Sequence, residues 1–346
     1  MFLAIKTEEI SLHFTLPGEQ PDKTVMEPVI AADCFTTRFP ETCRFVYRAM
    51  ATIFEIYVVH PDTEYAQQAA SAAFEELDRI EREISRYHEN SDISRINNLS
   101  PRKTLRIGLT SFECLKLCTG LCTDTHGVFD ITVGSLVDCW FGKEKSGCSP
   151  SEEEINRARR STGLQLIELD EAEHTVQLKH SPVKIDLGGF GKGYAIDRMA
   201  AHLRDWSIDR VLIDGGRSTV LALDRPPWAN GWPVTVSDPE ERKQTLMSFS
   251  LQNQALSGSG IRKGRHIIDP RTARPVNHTL AAWVCASSAA TADALSTSFM
   301  IMSPEEVRRY WLNHPDTQAV LVRNTDKTDP QEPRILCFGF QKGNKL

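Results

Sequence analysis

One stretch constrains this chain more than any other: Asp186-Leu187-Gly188-Gly189-Phe190-Gly191-Lys192-Gly193-Tyr194-Ala195-Ile196-Asp197. An expected strand, 183–185, leads into a glycine-rich turn, and a helical pattern over 192–206 starts at once. Glycines let backbone amides approach an oxygen-rich ligand, and a helix N-terminus carries partial positive charge. Lys192 stands where it can reach a phosphate. The spacing is neither that of the Walker loop nor Gly-x-Gly-x-x-Gly. Taken alone, such a turn serves either as a tight connection or as a phosphate cradle.

Two further stretches carry candidate chemistry. In Ser288-Ala289-Ala290-Thr291-Ala292-Asp293-Ala294-Leu295-Ser296-Thr297, Asp293 and Thr297 are four apart in an expected helix, so their oxygens share a face. A carboxylate with a hydroxyl suits a hard cation such as magnesium. Local capping by Asp293 and back-bonding of Thr297 to a helix carbonyl is the alternative. In His266-Ile267-Ile268-Asp269-Pro270-Arg271-Thr272, His266 is placed on a short apolar strand. It is read there either as a core histidine or as a general base near neutrality.

The rest of the pattern mixes helices and strands. Residues 45–59 read as a strand pair and 63–87 as a helix, with Ala73, Leu77, Ile80 and Ile84 on one face. Glu75, Glu76, Arg79 and Glu83 make its charged face. Helices are expected over 111–125, 149–162, 289–302 and 303–313, two of them opened by the capping boxes Ser151/Glu154 and Ser303/Glu306. Strands are expected at 164–169, 175–178, 183–185, 210–213, 280–286, 320–322 and 335–338, with an antiparallel meander up to Ser257. Without strict βαβ alternation, the fold class is α+β. Residues 1–42, with four prolines, read as an irregular extension, and 142–150 as a loop between lobes.

Composition excludes some classes. With Lys+Arg 40 against Asp+Glu 46, the net charge of -6 argues against a nucleic-acid partner. No run of 18 or more apolar residues occurs, so no membrane span is expected. The 9 cysteines are scattered without zinc spacing, and Cys118 and Cys122 share an expected helix face as packing residues. A reducing compartment suits this usage, and with no signal peptide or lipobox at the front the expected location is cytoplasmic.

In this order the motifs resemble the ApbE family of FAD:protein FMN transferases. Met50-Ala51-Thr52 is similar to its Met-Gly-Thr opening. Ser85-Arg86-Tyr87 with Ser91-Asp92-Ile93-Ser94-Arg95-Ile96-Asn97, and Gly127-Val128-Phe129-Asp130-Ile131-Thr132-Val133-Gly134, match its next segments. The glycine–lysine stretch, Asp214-Gly215-Gly216, Trp232-Pro233-Val234, His266 to Pro275 and Asp293 to Thr297 follow, so the likeness covers about residues 45–305.

The resemblance implies a T-fold-related architecture of mixed and antiparallel sheets flanked by helices, with an FAD cleft between two lobes. It implies a transferase domain over 43–323, followed by a C-terminal strand and tail over 324–346. It implies magnesium as cofactor, FAD as substrate, and an acceptor protein presenting a Ser/Thr loop. Asp293 and Thr297 would hold Mg²⁺, with the carbonyl of Gly189 as third ligand and Ser296 as a neighbour. Lys192 would stabilise phosphoryl charge, and His266 would be the base; with Asp293 these form the implied catalytic set. Met50, Tyr87, Val128, Asp186, Lys192 and Ile267 would line the flavin and adenine slots. An FAD pyrophosphatase in the same pocket and a non-catalytic flavin-binding protein are the alternatives. The chain departs from the family at Gly188 and Gly189, at Arg217 after the Gly-Gly pair, and at Ala273 where a turn glycine is usual.

Overall fold

In the computed structural model, which describes residues 10–12, 42–142, 149–179, 182–241, 243–261, 266–324 and 334–340, one large sheet organises the rest. Its elements run in chain order as β1 (Ile10–Leu12), β2 (Thr42–Ala49), β3 (Thr52–Val59), α1 (Thr63–Ile84), α2 (Asp92–Asn97), β4 (Thr104–Arg106), α3 (Leu109–Asp124) and α4 (Gly134–Phe141). There follow α5 (Glu152–Arg160), β5 (Ile167–Asp170), β6 (Thr175–Leu178), α6 (Gly191–Asp205), β7 (Val211–Gly215), β8 (Thr219–Ala222), β9 (Trp232–Ser237), β10 (Thr245–Leu251) and β11 (Gln254–Gly260). The last are β12 (Ile268–Asp269), β13 (Arg274–Pro275), β14 (Thr279–Ala286), α7 (Ala289–Ile301), α8 (Pro304–Asn313), β15 (Gln318–Arg323) and β16 (Ile335–Phe338).

Eight antiparallel strands form the central sheet in the order β16-β15-β14-β11-β8-β7-β3-β2. Side-chain alternation splits its two faces. On β14, Ala282 and Val284 pack with Leu295 and Phe299 of α7, whereas Ala281, Trp283 and Cys285 pack with Trp232, Val234 and Val236 of β9. Helices therefore cover one face and the three-stranded sheet β1-β9-β10 covers the other. α+β is the observed class. The two capping boxes form as the sequence requires, at Ser151/Glu154 and Ser303/Glu306. Among the described residues no helix is long and apolar enough to cross a membrane.

Several expectations are corrected. Ile10–Leu12, read as irregular, is a short strand parallel to β9, and Thr42 already belongs to β2. The meander up to Ser257 is split: β8 pairs with β11, while β9 and β10 leave for the smaller sheet. Residues 164–166 form a 3-10 turn after Gly163, not a strand. Val183–Ile185 is no strand either, apart from one parallel bridge between Val133 and Lys184. The Asn97 amide satisfies the Ile185 backbone at 2.6 and 3.0 Å, replacing a strand partner. Glu76, placed on the charged face of α1, is buried and paired with Arg79 at 2.6 Å. Burial pushes its carboxyl up, but Arg79, His202 and Arg198 outweigh that and hold it below the ordinary value. Most of the expected loop at 142–150 lies outside the described residues.

Candidate functional site

The glycine-rich turn opens α6, and the helix beside it is α7. α7 is almost wholly buried, which follows from its near-continuous run of small and apolar residues. A Cβ at Gly193 would run into the Ala289 carbonyl, so glycine is what lets the two helices touch. No side chain caps α6 at Phe190. Instead the Gly193 N–H donates to Asp293 Oδ2 at 3.2 Å, and Lys192 Nζ lies 3.5 Å from the same oxygen. A carboxylate at a helix N-terminus is favourably placed against the exposed amide dipoles.

Asp293 is only 3% exposed. Its Oδ1 lies 3.2 Å from the Ser257 hydroxyl on β11. The Ser218 carbonyl is also 3.2 Å from that hydroxyl and the Thr219 hydroxyl 2.9 Å, so Ser257 has one proton to share among several oxygens. Thr297 Oγ1 lies 3.1 Å from Ser259 Oγ. Ser296, named as a neighbour, turns its hydroxyl to Ser259 at 2.8 Å and to the Asp293 carbonyl at 2.9 Å.

Gly189 faces Thr297 directly. A Cβ at 189 would sit 2.9 Å from Thr297 Oγ1, so glycine keeps open the space beside that hydroxyl. The side-chain oxygens beside this turn are the Asp293 carboxylate, which meets Gly193 N, and the Thr297 hydroxyl, which faces Gly189. Among the described residues, no three His, Cys, Asp or Glu side chains gather as a metal cluster. The donor set fits a hard cation that takes one carboxylate, neutral oxygens and ligand phosphates.

The remaining sequence-selected residues fall in two groups. Val128 and Ile267 are buried in one apolar cluster with Leu295 of α7. Met50 is half-buried at the β2–β3 hairpin, where Met50 and Ala51 take φ 48 and 56, the two-residue turn that suits right-twisted strands. Tyr87 is 84% exposed. His266 is corrected: it is exposed and precedes β12, so the core-histidine reading does not hold.

Asp186 has partners that sequence reasoning did not name. Its Oδ1 accepts the Gly188 N–H at 2.8 Å, and its Oδ2 accepts from Arg86 at 2.6 Å. Arg86 also donates to Asp138 on α4 at 2.5 Å, and Asp138 holds Lys184 at 2.7 Å. Burial pulls the Asp138 carboxyl upward, yet Lys184 and Arg86 outweigh it and keep it below the ordinary range. Ser257, Ser259 and Arg86 were missed as residues of the candidate site, and Gly193 and Asp197 were read only as part of the glycine-rich stretch. The available signals were two glycines, Gly258 and Gly260, inside the strand Gln254–Gly260 and an arginine inside Ser85-Arg86-Tyr87.

With this geometry in hand, the chain can be set against known proteins. The model of the ApbE family matches residues 50–321. A "FAD:protein FMN transferase" of Klebsiella pneumoniae (strain 342) is 26% identical over 277 residues, covering 76% of this chain and 79% of that protein. The solved structure of a flavin transferase ApbE from Vibrio cholerae superposes with a TM-score of 0.75 at 22% identity, covering 86% of this chain and 96% of that one. The structure of the ApbE protein from Thermotoga maritima gives a TM-score of 0.74 at 26% identity, over 82% of this chain and 94% of that one.

Proposed function

This chain belongs to the ApbE family, and on that premise we propose that it transfers the FMN half of FAD to a Ser or Thr hydroxyl of a target protein, releasing AMP. Curated relatives named "FAD:protein FMN transferase" support a transferase acting on FAD. The observation that carries the reading is the meeting of Asp293 with the start of α6, at Gly193 N and Lys192 Nζ, across from Gly189. A carboxylate against the glycine-lined turn, with the Thr297 hydroxyl beside Gly189, supports a site for a diphosphate with a divalent cation. We assign the transferase unit to residues 43–323.

In the proposed reaction the acceptor hydroxyl oxygen attacks the phosphorus of the FMN phosphate. The bond from that phosphorus to the bridging oxygen breaks, and AMP leaves with the bridging oxygen and its electrons. The hydroxyl proton goes to His266, whose exposure suits a base that must meet an acceptor arriving from solvent. Lys192 and the amides of the glycine turn donate to the phosphoryl oxygens as charge develops there. Asp293 and Thr297, with the Gly189 carbonyl, would hold Mg²⁺, which supplies charge neutralisation on the diphosphate. Met50, Tyr87, Val128, Asp186 and Ile267 shape the slots for the flavin and adenine.

Incubation of the purified protein with FAD, Mg²⁺ and a candidate acceptor tests the reading. Flavin fluorescence that stays with the denatured acceptor, and an FMN increment in its intact mass, are the expected results. Free FMN with AMP and no labelled acceptor would make the protein a hydrolase, and uncleaved bound FAD would make it a binding protein.

A further inference from the structure

We propose that Arg86 is a positioning residue for FAD: it neutralises Asp186, fixes the glycine turn through it, and orients the exposed Tyr87 ring. The inference rests on the transferase reading, because it concerns how that substrate is received. Arg86 lies in the link between α1 and α2, and only 16% of its side chain is exposed. One arm of its guanidinium holds Asp186 Oδ2 at 2.6 Å, and the other holds Asp138 Oδ1 at 2.5 Å. The guanidinium carbon lies over the Tyr87 ring, 5.5 Å from its centroid. A planar fork does all three at once; a lysine ammonium supplies the charge without the fork or the stacking plane.

The consequence for the ligand is electrostatic as well as geometric. The second oxygen of Asp186 accepts the Gly188 N–H at 2.8 Å, which sets the first bend of the turn whose next residue is Gly189. A bare carboxylate at this turn would repel a diphosphate brought to the α6 N-terminus. With Arg86 bound, Asp186 keeps its turn-forming oxygen and presents little net charge. Asn97 and Ser94 anchor the arrangement from below, the first on the Ile185 backbone and the second on the Arg86 carbonyl at 3.0 Å. Arg86 touches neither the proposed metal ligands nor the reacting phosphorus, so its effect falls on binding.

The test is titration of FAD, followed by flavin fluorescence with Mg²⁺ and no acceptor, together with turnover. Arg86→Gln, which leaves the Asp186 charge uncompensated, is expected to raise the FAD Kd and KM about tenfold, with kcat changed by less than about threefold. Arg86→Lys is expected to fall between Gln and wild type. Asp186→Asn in the Arg86→Gln background is expected to cost less than the product of the two single effects, because it removes the uncompensated charge. Thermal unfolding checks that each variant folds, and Arg86→Lys carries the test if Arg86→Gln does not. An Arg86 variant that folds and binds FAD as the wild type does, or single effects that simply multiply, would overturn the inference alone. A wild-type protein that binds no FAD would overturn the functional reading along with it.

Discussion

The carboxylate of Asp197 on α6 accepts the backbone N–H of Ala289 at 2.8 Å, one residue into α7. It also accepts from the Ala290 N–H at 2.9 Å and the Ser288 hydroxyl at 2.8 Å. One helix thus supplements the Ser288 N-cap of the other, and the glycine turn and the Asp293–Thr297 pair are held in register. Asp197→Ala removes all three acceptor contacts. Loss of an N-cap of this kind costs about 1–2 kcal/mol, with a parallel fall in FAD turnover; Asp197→Asn, keeping one acceptor oxygen, is expected to lose less. Urea unfolding and FAD cleavage on the same samples check both.

Gly193 makes the helix contact possible from the other side. Because the obstacle to a Cβ is the Ala289 carbonyl and not a mobile side chain, Gly193→Ala must separate α6 from α7. Overpacking of this sort costs about 1–3 kcal/mol, and the Gly193–Asp293 hydrogen bond is lost with it. FAD turnover is expected to fall much further than stability, since the displaced groups are the site itself.

Among the described residues two alanines stand at positive φ, and their burial separates them. Ala51 has φ 56 in the β2–β3 turn and is exposed; Ala273 has φ 59 and is 1% exposed. A left-handed conformation costs a non-glycine residue about 1–2 kcal/mol, whereas a more flexible unfolded chain costs glycine about 0.4–1 kcal/mol. Ala51→Gly is therefore expected to stabilise the fold by about 0.5–1 kcal/mol. Ala273→Gly also gives up a buried methyl worth about 0.8 kcal/mol, so it is expected to be near neutral. Thermal melts of the two variants beside the wild type decide the comparison.

Asp214 gives a pH dependence. Burial pushes its carboxyl up to about 7, with the Arg217 backbone N–H, Arg217 and Arg44 pulling it down and Glu55 pushing it further up. Its Oδ2 has no hydrogen-bond partner. Between the unfolded value near about 4 and the folded one, the native state binds the extra proton, so stability falls as pH rises across that window and levels off above it. Asp214→Asn mimics the protonated form. It is expected to flatten this slope and to be more stable than wild type at pH 8, by urea unfolding at pH 5, 6, 7 and 8.

Local signals in the sequence were legible where the physics is local. The period of Ala73, Leu77, Ile80 and Ile84 gave α1, all four being buried in it. The capping boxes Ser151/Glu154 and Ser303/Glu306 form at the N-caps of α5 and α8, although the expected helix over 149–162 began ahead of its cap. Asp293 and Thr297 were legible as a pair because one helical turn separates them. What surrounds them was not. Gly189, Gly193, Ser257 and Ser259 reach them from elements that only tertiary packing brings near. Val183–Ile185 misled because two β-branched residues flanking Lys184 read as a strand even where a side-chain amide takes the partner's place. The exposure of His266 was invisible for a similar reason: its apolar neighbours Ile267 and Ile268 are buried, and the histidine stands just before them.

The most direct measurement compares FAD cleavage by the wild type and by Asp293→Ala across a Mg²⁺ titration, with circular dichroism to verify the fold. The wild type is expected to cleave FAD only with Mg²⁺, and the folded variant to show no turnover at any concentration. Wild-type rates from Asp293→Ala at low Mg²⁺ would contradict the account, because the carboxylate held against the start of α6 would then have no part in the chemistry.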